Sequence, residues 1–144
     1  MKFAEFEQGQ ILQGGPYRVS EEEILSYATH WDPQWFHTDP KAASEGPFGG
    51  LIGSGWHTCA IAMRMVAVAF LTGSESYASP GLAYIKWPHP VRPLDELMLR
   101  ATILEKRISK SNSTLGILRW RWQLHNQNEQ EVLDLEVTSL FKIE

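Results

Sequence analysis

The sequence predicts a single α+β domain in which an antiparallel sheet curls around one long helix, and three observations lead there. Residues 56–73, WHTCAIAMRMVAVAFLTG, are apolar on nearly every side, as a helix must be if other elements surround it. From Leu82 onward the hydrophobic period changes from helical to two, the pattern of strands with one buried face. A chain of 144 residues, 43% hydrophobic and 21% charged, has the size and composition of one ordinary folded domain, so helix and strands share one core.

The amino-terminal MKFAEFEQGQ places Glu5 and Glu7 where a signal peptide needs a continuous apolar run, so a cytoplasmic location is expected. Residues 20–30, SEEEILSYATH, open with Ser20 as N-cap and Glu23 as its capping-box partner, followed by Ile24, Leu25, Tyr27 and Ala28 at helical spacing. Residues 39–44 form a second short helix, with Asp39 as N-cap and Pro40 at the first helical position. The stretch GPFGGLIGSG then places five glycines in ten residues, a backbone that must bend or approach something closely. For the apolar helix that follows, Ser54 is the expected cap and Gly73 the expected stop. Its segment 56–71 is short for a bilayer span and contains His57 and Arg64, so a buried core helix is expected.

Residues 82–87 and 97–107 read as strands separated by the proline-rich PHPVRP. Leu118, Trp120, Trp122 and Leu124 alternate with Arg119, Arg121, Gln123 and His125. Leu133, Leu135, Val137, Phe141 and Ile143 repeat the alternation against Asp134, Glu136, Thr138 and Lys142, and KSNS and HNQNEQ supply the turns of an antiparallel meander. With no internal repeat, residues 1–144 form one unit.

Lys and Arg number 13 against 17 Asp and Glu, a net charge of −4 that is too acidic and too scattered for a general nucleic-acid binder. The single cysteine, Cys59, excludes an internal disulfide and reads as a small buried hydrophobe with no base partner. The chemistry concentrates in WDPQWFHTDP, where Asp32 and His37 are separated by four residues on an irregular loop just beyond a helix end. Such a carboxylate and imidazole can converge on one water; with ordinary pKa values near ~4 and ~6.5 they form an acid–base pair at neutral pH. His30, Asp32, His37 and Asp39 match no zinc spacing, so no metal is expected. The glycine run lacks the lysine and hydroxyl of a P-loop and fails the dinucleotide pattern, so no redox cofactor is expected either.

The same string resembles the signature of the MaoC-like dehydratase family, which includes the (R)-specific enoyl-CoA hydratases. That signature runs Asp, any residue, Asn, Pro, an aliphatic residue, His, and then an alanine-rich turn. Asp32 and His37 occupy the two catalytic positions at the family spacing, and Ala42 and Ala43 fall where the small residues belong. Gln34 stands for the Asn and Trp35 for the Pro, a departure that bears on the substrate more than on the fold. FGGLIGSGWHT resembles the family's approach to its central helix and SPGLAYIKWPHPVRPLDEL its return strand, whereas the first twenty or so residues and the last strands carry no landmark. The family fold is the hot-dog, which the helix-and-meander reading matches.

The resemblance implies a hydro-lyase, an enoyl-CoA hydratase or 3-hydroxyacyl-CoA dehydratase, in which Asp32 and His37 hold and deprotonate the water. Gly55, at the start of the central helix, is then the backbone donor to the enolate-like thioester oxygen, with its missing side chain leaving room for the thioester. Ser54 and His57 are close enough in sequence to share in substrate binding. Met63 occupies the region where some family hydratases place a serine; with Trp31, Trp35 and Trp56 it is a candidate wall of the acyl pocket, core packing being the plain alternative. Coenzyme A enters only as part of the substrate, an acyl-CoA or acyl-carrier-protein thioester. Arg92, Arg64, Lys86 and Lys110 are candidates for its phosphates; as metal or site ligands, His57, His89 and His125 have weaker claims than the histidines and carboxylates of residues 30–39. The expected assembly is a homodimer, without nucleic-acid or membrane partners. Two other readings stand beside it. A hot-dog acyl-CoA thioesterase usually takes a carboxylate from the central helix, and residues 56–71 contain none; the other is a non-catalytic acyl-thioester binding module.

Overall fold

Five antiparallel strands form one sheet in the order β1-β3-β4-β5-β2: β1 (Ile11–Arg18), β2 (Ser76–Lys86), β3 (Glu96–Ile108), β4 (Leu115–His125) and β5 (Glu131–Lys142). The computed structural model describes residues 1–144. The alternation in β4 sets the register of the inner face. Trp120 pairs with Ile103 and Val137, and Trp122 with Ala101 and Leu135, so apolar side chains of three strands meet in one layer. On the outer face Arg121 makes two hydrogen bonds to Asp134, at 2.9 and 2.8 Å, and Arg119 bridges Glu105 and Glu136. A one-residue slip would bury those charges, which is why the register is unambiguous.

Two strands differ from the sequence expectation. β1 was not anticipated, because Gly14, Gly15 and Pro16 break its pattern; it survives as an edge strand whose register shifts between Gly14 and Tyr17. β2 starts at Ser76, six residues before the expected Leu82, and carries Pro80 and Gly81 through a series of register shifts against β5. It is the other edge, where a missing ladder N–H is tolerated.

The helices lie on the inner face and at one end of the sheet. α1 (Glu21–Trp31) begins with the expected reciprocal cap: Glu23 N–H donates to Ser20 Oγ at 3.1 Å and Ser20 N–H to Glu23 Oε1 at 3.2 Å. α2 (Trp35–Thr38) is a single turn, and α3 (Pro40–Glu45) is capped by Asp39, which accepts from Ala42 N–H at 3.0 Å. α4 (Gly55–Val66) is the central helix and runs on as a wider π turn over Ala67–Leu71; Gly73, at φ 74°, then turns the chain back toward β2.

The expectation that other elements surround α4 is corrected. His57, Thr58, Ile61, Ala62, Met65 and Val66 face the sheet and α1, but Trp56, Met63 and Val68 are exposed. One five-stranded sheet covers one side of a helix, and the second apolar side is left bare. Met63, 43% exposed, therefore packs into no core. No helix is long and apolar enough to cross a membrane.

Candidate active site

α1 stops where Pro33 disfavours a helical Asp32, and Asp32 leaves the helix axis with φ −153° and ψ 67°. Its N–H still donates to Ala28 O at 2.9 Å, so the backbone at the end of α1 is held while the carboxylate swings toward the start of α4. The chain re-enters helix at Gln34, and the one turn of α2 carries His37 inward until the imidazole is 5% exposed. His37 was expected on irregular loop; it stands on this short helix instead.

Three groups converge on the pair. His37 Nδ1 lies 2.7 Å from Ile52 O, and because a carbonyl only accepts, Nδ1 carries the hydrogen. That leaves Nε2 facing Asp32 Oδ2 at 3.3 Å. Ser54 Oγ donates to the same Oδ2 at 2.7 Å, and Gln34 Nε2 donates to Oδ1 at 2.6 Å. Burial pushes the Asp32 carboxyl up, but the hydrogen bonds from Ser54 and Gln34, with the nearby His37, outweigh it and hold the group below its ordinary value. Asp32 is thus ionised at neutral pH and still has lone pairs free for water.

The Ser54 bond also corrects the expected cap. Ser54 stands at the N-cap position of α4, yet its side chain makes no bond to the helix. The first-turn N–H groups beginning at Gly55 therefore lack a side-chain acceptor and present the positive end of the helix dipole. Gly55 itself is not surrounded by open space. A Cβ built on it would lie 2.5 Å from Cε2 of Trp87, so the room left by the missing side chain is taken by an indole.

Asp32, His37, Gly55, Trp56 and Trp87 line one open cleft of about 400 Å3, with Phe48 and the 88–91 segment as further walls. A larger hollow, about 790 Å3, lies among Lys2, Glu75, Lys106 and Lys142 and contains none of these groups; the chemistry places the site in the smaller one.

The other sequence candidates divide. Trp56 lines the cleft. Trp31, 75% exposed, and His57 line a different hollow with Tyr27 and His30. His57 stacks on Tyr27 (centroids 4.6 Å apart, 10° between planes), and its Nε2 is 3.7 Å from Glu23 Oε2, which accepts from Tyr17 OH at 2.8 Å. Burial pushes the His57 pKa down, against the pull of Glu23. Trp35 packs over Gly46, and Met63 is outside the cleft. His89 reaches the cleft mouth with Nδ1 donating to Glu131 O at 3.1 Å, and Arg92 lies beside Gly50. Three contributors escaped the sequence reading. Gln34, a departure from the motif, is a donor to Asp32; the Ile52 carbonyl has no side-chain signal; and the strand pattern ending at Trp87 does not announce its contact with Gly55.

Residues 3–119 match the MaoC like domain family. Bacillus subtilis (strain 168) YdeM, an uncharacterized protein, is 33% identical over 142 residues, 99% of each chain. The 3-hydroxyacyl-thioester dehydratase Z of Mycobacterium tuberculosis (strain ATCC 25618 / H37Rv) is 33% identical over 75 residues, 51% of this chain and 50% of that protein. Among solved structures, the MaoC-like dehydratase from Rhodospirillum rubrum superposes with a TM-score of 0.89 at 32% identity, covering 98% of this chain and 96% of the other. The (R)-hydratase from A. caviae involved in PHA biosynthesis gives 0.76 at 18% identity, with 97% and 98% covered, a likeness of fold. The helix and its curled sheet are the hot-dog fold of these neighbours.

Proposed function

The chain belongs to the MaoC-like dehydratase family, and from that premise we propose that it is an enoyl-CoA hydratase or 3-hydroxyacyl-CoA dehydratase working through Asp32 and His37. The observation that carries this reading is the pair itself: an ionised carboxylate held by Ser54 and Gln34, 3.3 Å from an imidazole nitrogen whose ring is oriented by Ile52 O. An imidazole fixed through Nδ1 has only Nε2 with which to exchange protons, and Asp32 Oδ2 is the acceptor next to it.

In the hydration direction a water bridges Nε2 and Oδ2. As its oxygen bonds to carbon 3 of the enoyl thioester, its proton passes to the pair and the C2=C3 electrons shift toward the thioester oxygen. The enolate-like oxygen is met by the uncapped first turn of α4 at Gly55, where fixed N–H dipoles cost no reorganisation. Return of the electrons to carbon 2 takes a proton from the pair, so one water is added and the pair is restored. Dehydration is the reverse.

The bare side of α4 and the open edge at β2 support a second copy as the partner that completes the cleft. A thioesterase reading is disfavoured because neither α4 nor its π turn holds an Asp or Glu. The test is direct. With a panel of trans-2-enoyl-CoAs, loss of the conjugated enoyl absorbance without free thiol is the expected result. Released thiol means hydrolysis instead, and tight binding with neither means a binding module.

A further inference from the structure

Trp87 follows the last residue of β2 and leads into Pro88, and its indole lies flat against the beginning of α4. A Cβ on Gly55 would sit 2.5, 2.7 and 2.9 Å from Cε2, Cδ2 and Cζ2, so the centre of the ring system covers the helix start. Trp56 meets it edge on, with centroids 5.5 Å apart and planes at 76°. Both rings line the cleft that holds Asp32 and His37, and Trp87 keeps 42% of its surface exposed toward it and the solvent. Ser54, which bonds Asp32, is the residue next to Gly55, so Gly55 and Ser54 link the ring to the acid–base pair.

These placements limit what the cleft can take. An acyl group with its reacting carbons at the Asp32–His37 pair and its carbonyl at the first turn of α4 meets the indole, because the ring covers the start of that helix and lines the same cleft. The cavity, about 400 Å3, is near the lower end of the ~300–1,000 Å3 usual for small-molecule sites. Resting on the thioester reading above, we propose that Trp87 is the specificity-determining residue of this cleft, its indole forming the wall that restricts the acyl group to short chains. Long acyl chains are rejected by this ring rather than by the backbone around Gly55.

The test uses the full chain and the variants Trp87→Ala, Trp87→Leu and Trp87→Phe, with circular dichroism to show that each folds. Affinities for butanoyl-CoA and dodecanoyl-CoA are measured by calorimetry, and hydration of the matching trans-2-enoyl-CoAs is followed separately. The native chain is expected to prefer butanoyl-CoA. Trp87→Ala should raise the dodecanoyl-to-butanoyl affinity ratio by about tenfold or more, since a single methylene in an apolar pocket is worth ~10–200-fold. Trp87→Leu should move it the same way, and Trp87→Phe, which keeps a flat ring, should stay near the native ratio. An unchanged ratio in folded Trp87→Ala and Trp87→Leu overturns the proposal, as does a native preference for dodecanoyl-CoA. The two readings fail separately. A shifted ratio with no hydration by any form upholds Trp87 and removes the hydro-lyase; hydration with an unshifted ratio does the opposite; binding of no acyl-CoA overturns both.

Discussion

Ser54 donates its hydroxyl to Asp32 Oδ2 across 2.7 Å and leaves the helix it begins without a side-chain cap. One bond thereby serves two purposes. It helps to hold the Asp32 carboxyl below its ordinary value, and it leaves the N–H groups at the start of α4 free to meet a developing negative charge. An N-cap serine ordinarily contributes about 0.5–2 kcal/mol to stability, so this arrangement forgoes a local gain.

Replacing Ser54 by alanine removes one of the hydrogen bonds that lower the Asp32 pKa, so that pKa moves up. Because the ionised form is the working one, the acidic limb of kcat/KM should shift to higher pH, with a lower plateau. The same sign governs stability. A carboxyl depressed in the folded state stabilises it above the unfolded pKa, near ~3.9, and that contribution is lost as pH falls through the folded value. A pH–rate profile on an enoyl-CoA checks the first effect; an acidic limb that stays in place would contradict the role given to Ser54.

Asp32→Asn and His37→Gln each remove a proton-transfer group while keeping shape and polarity. Each should lower the hydration rate by ~10²–10⁴-fold with an unchanged melting temperature to within a few degrees. Activity near the native level in either folded variant would rule out the acid–base scheme.

Much of this was legible along the chain because its causes are local. Ser20 with Glu23, and Asp39 with Pro40, act within one helical turn, and both caps are present as read. The alternation through Trp120 and Trp122 is local too, and it set β4 correctly. What was missed depends on distant residues. The pattern of α4 shows an apolar surface but not what covers it, so Trp56, Met63 and Val68 could not be separated from Ile61 and Val66. Ser54 had two partners to choose from, the helix N–H groups beside it, from which its oxygen could accept, and a carboxylate 22 positions away, to which its hydroxyl donates, and only the fold decides between them. The contact of Trp87 with Gly55 joins β2 to α4, and neither residue's neighbours in sequence announce it.

Gly55→Ala places a methyl group within 2.5 Å of the Trp87 ring, so either the ring or the start of α4 must shift. Overpacking of this kind costs about 1–3 kcal/mol. The expected outcome is a lower melting temperature, together with a loss of activity greater than the loss of folded protein. A variant as stable and as active as the native chain would show that the indole does not hold this position in solution.

Leu94 is a non-glycine residue at φ 70°, 60% exposed, with its N–H donating to Val19 O at 2.7 Å. The left-handed conformation costs roughly 1–2 kcal/mol for a residue with a Cβ, and glycine returns about 0.5–1 kcal/mol of that as chain entropy. Leu94→Gly should therefore stabilise the fold by up to about 1 kcal/mol, read as a rise of roughly 2–4 °C in Tm. A fall in Tm would mean that the exposed leucine makes packing contacts that outweigh its strain.

His57 gives the protein a second, separate response to pH. Burial dominates over the pull of Glu23, so its folded pKa lies below the ordinary ~6.5. As pH drops below that value the unfolded chain binds a proton that the folded chain resists, and stability falls until the folded pKa is reached; above it the group has no effect. Around the imidazole stand Glu23 and Tyr27 of α1, with Tyr17 of β1 already donating to Glu23. His57→Phe keeps a ring to stack on Tyr27 and removes the titration, so its thermal melts between pH 5 and pH 7 should show a flatter slope than those of the native chain. Equal slopes in the two proteins would place the acid sensitivity elsewhere and leave the His57–Tyr27 stack with a packing role alone.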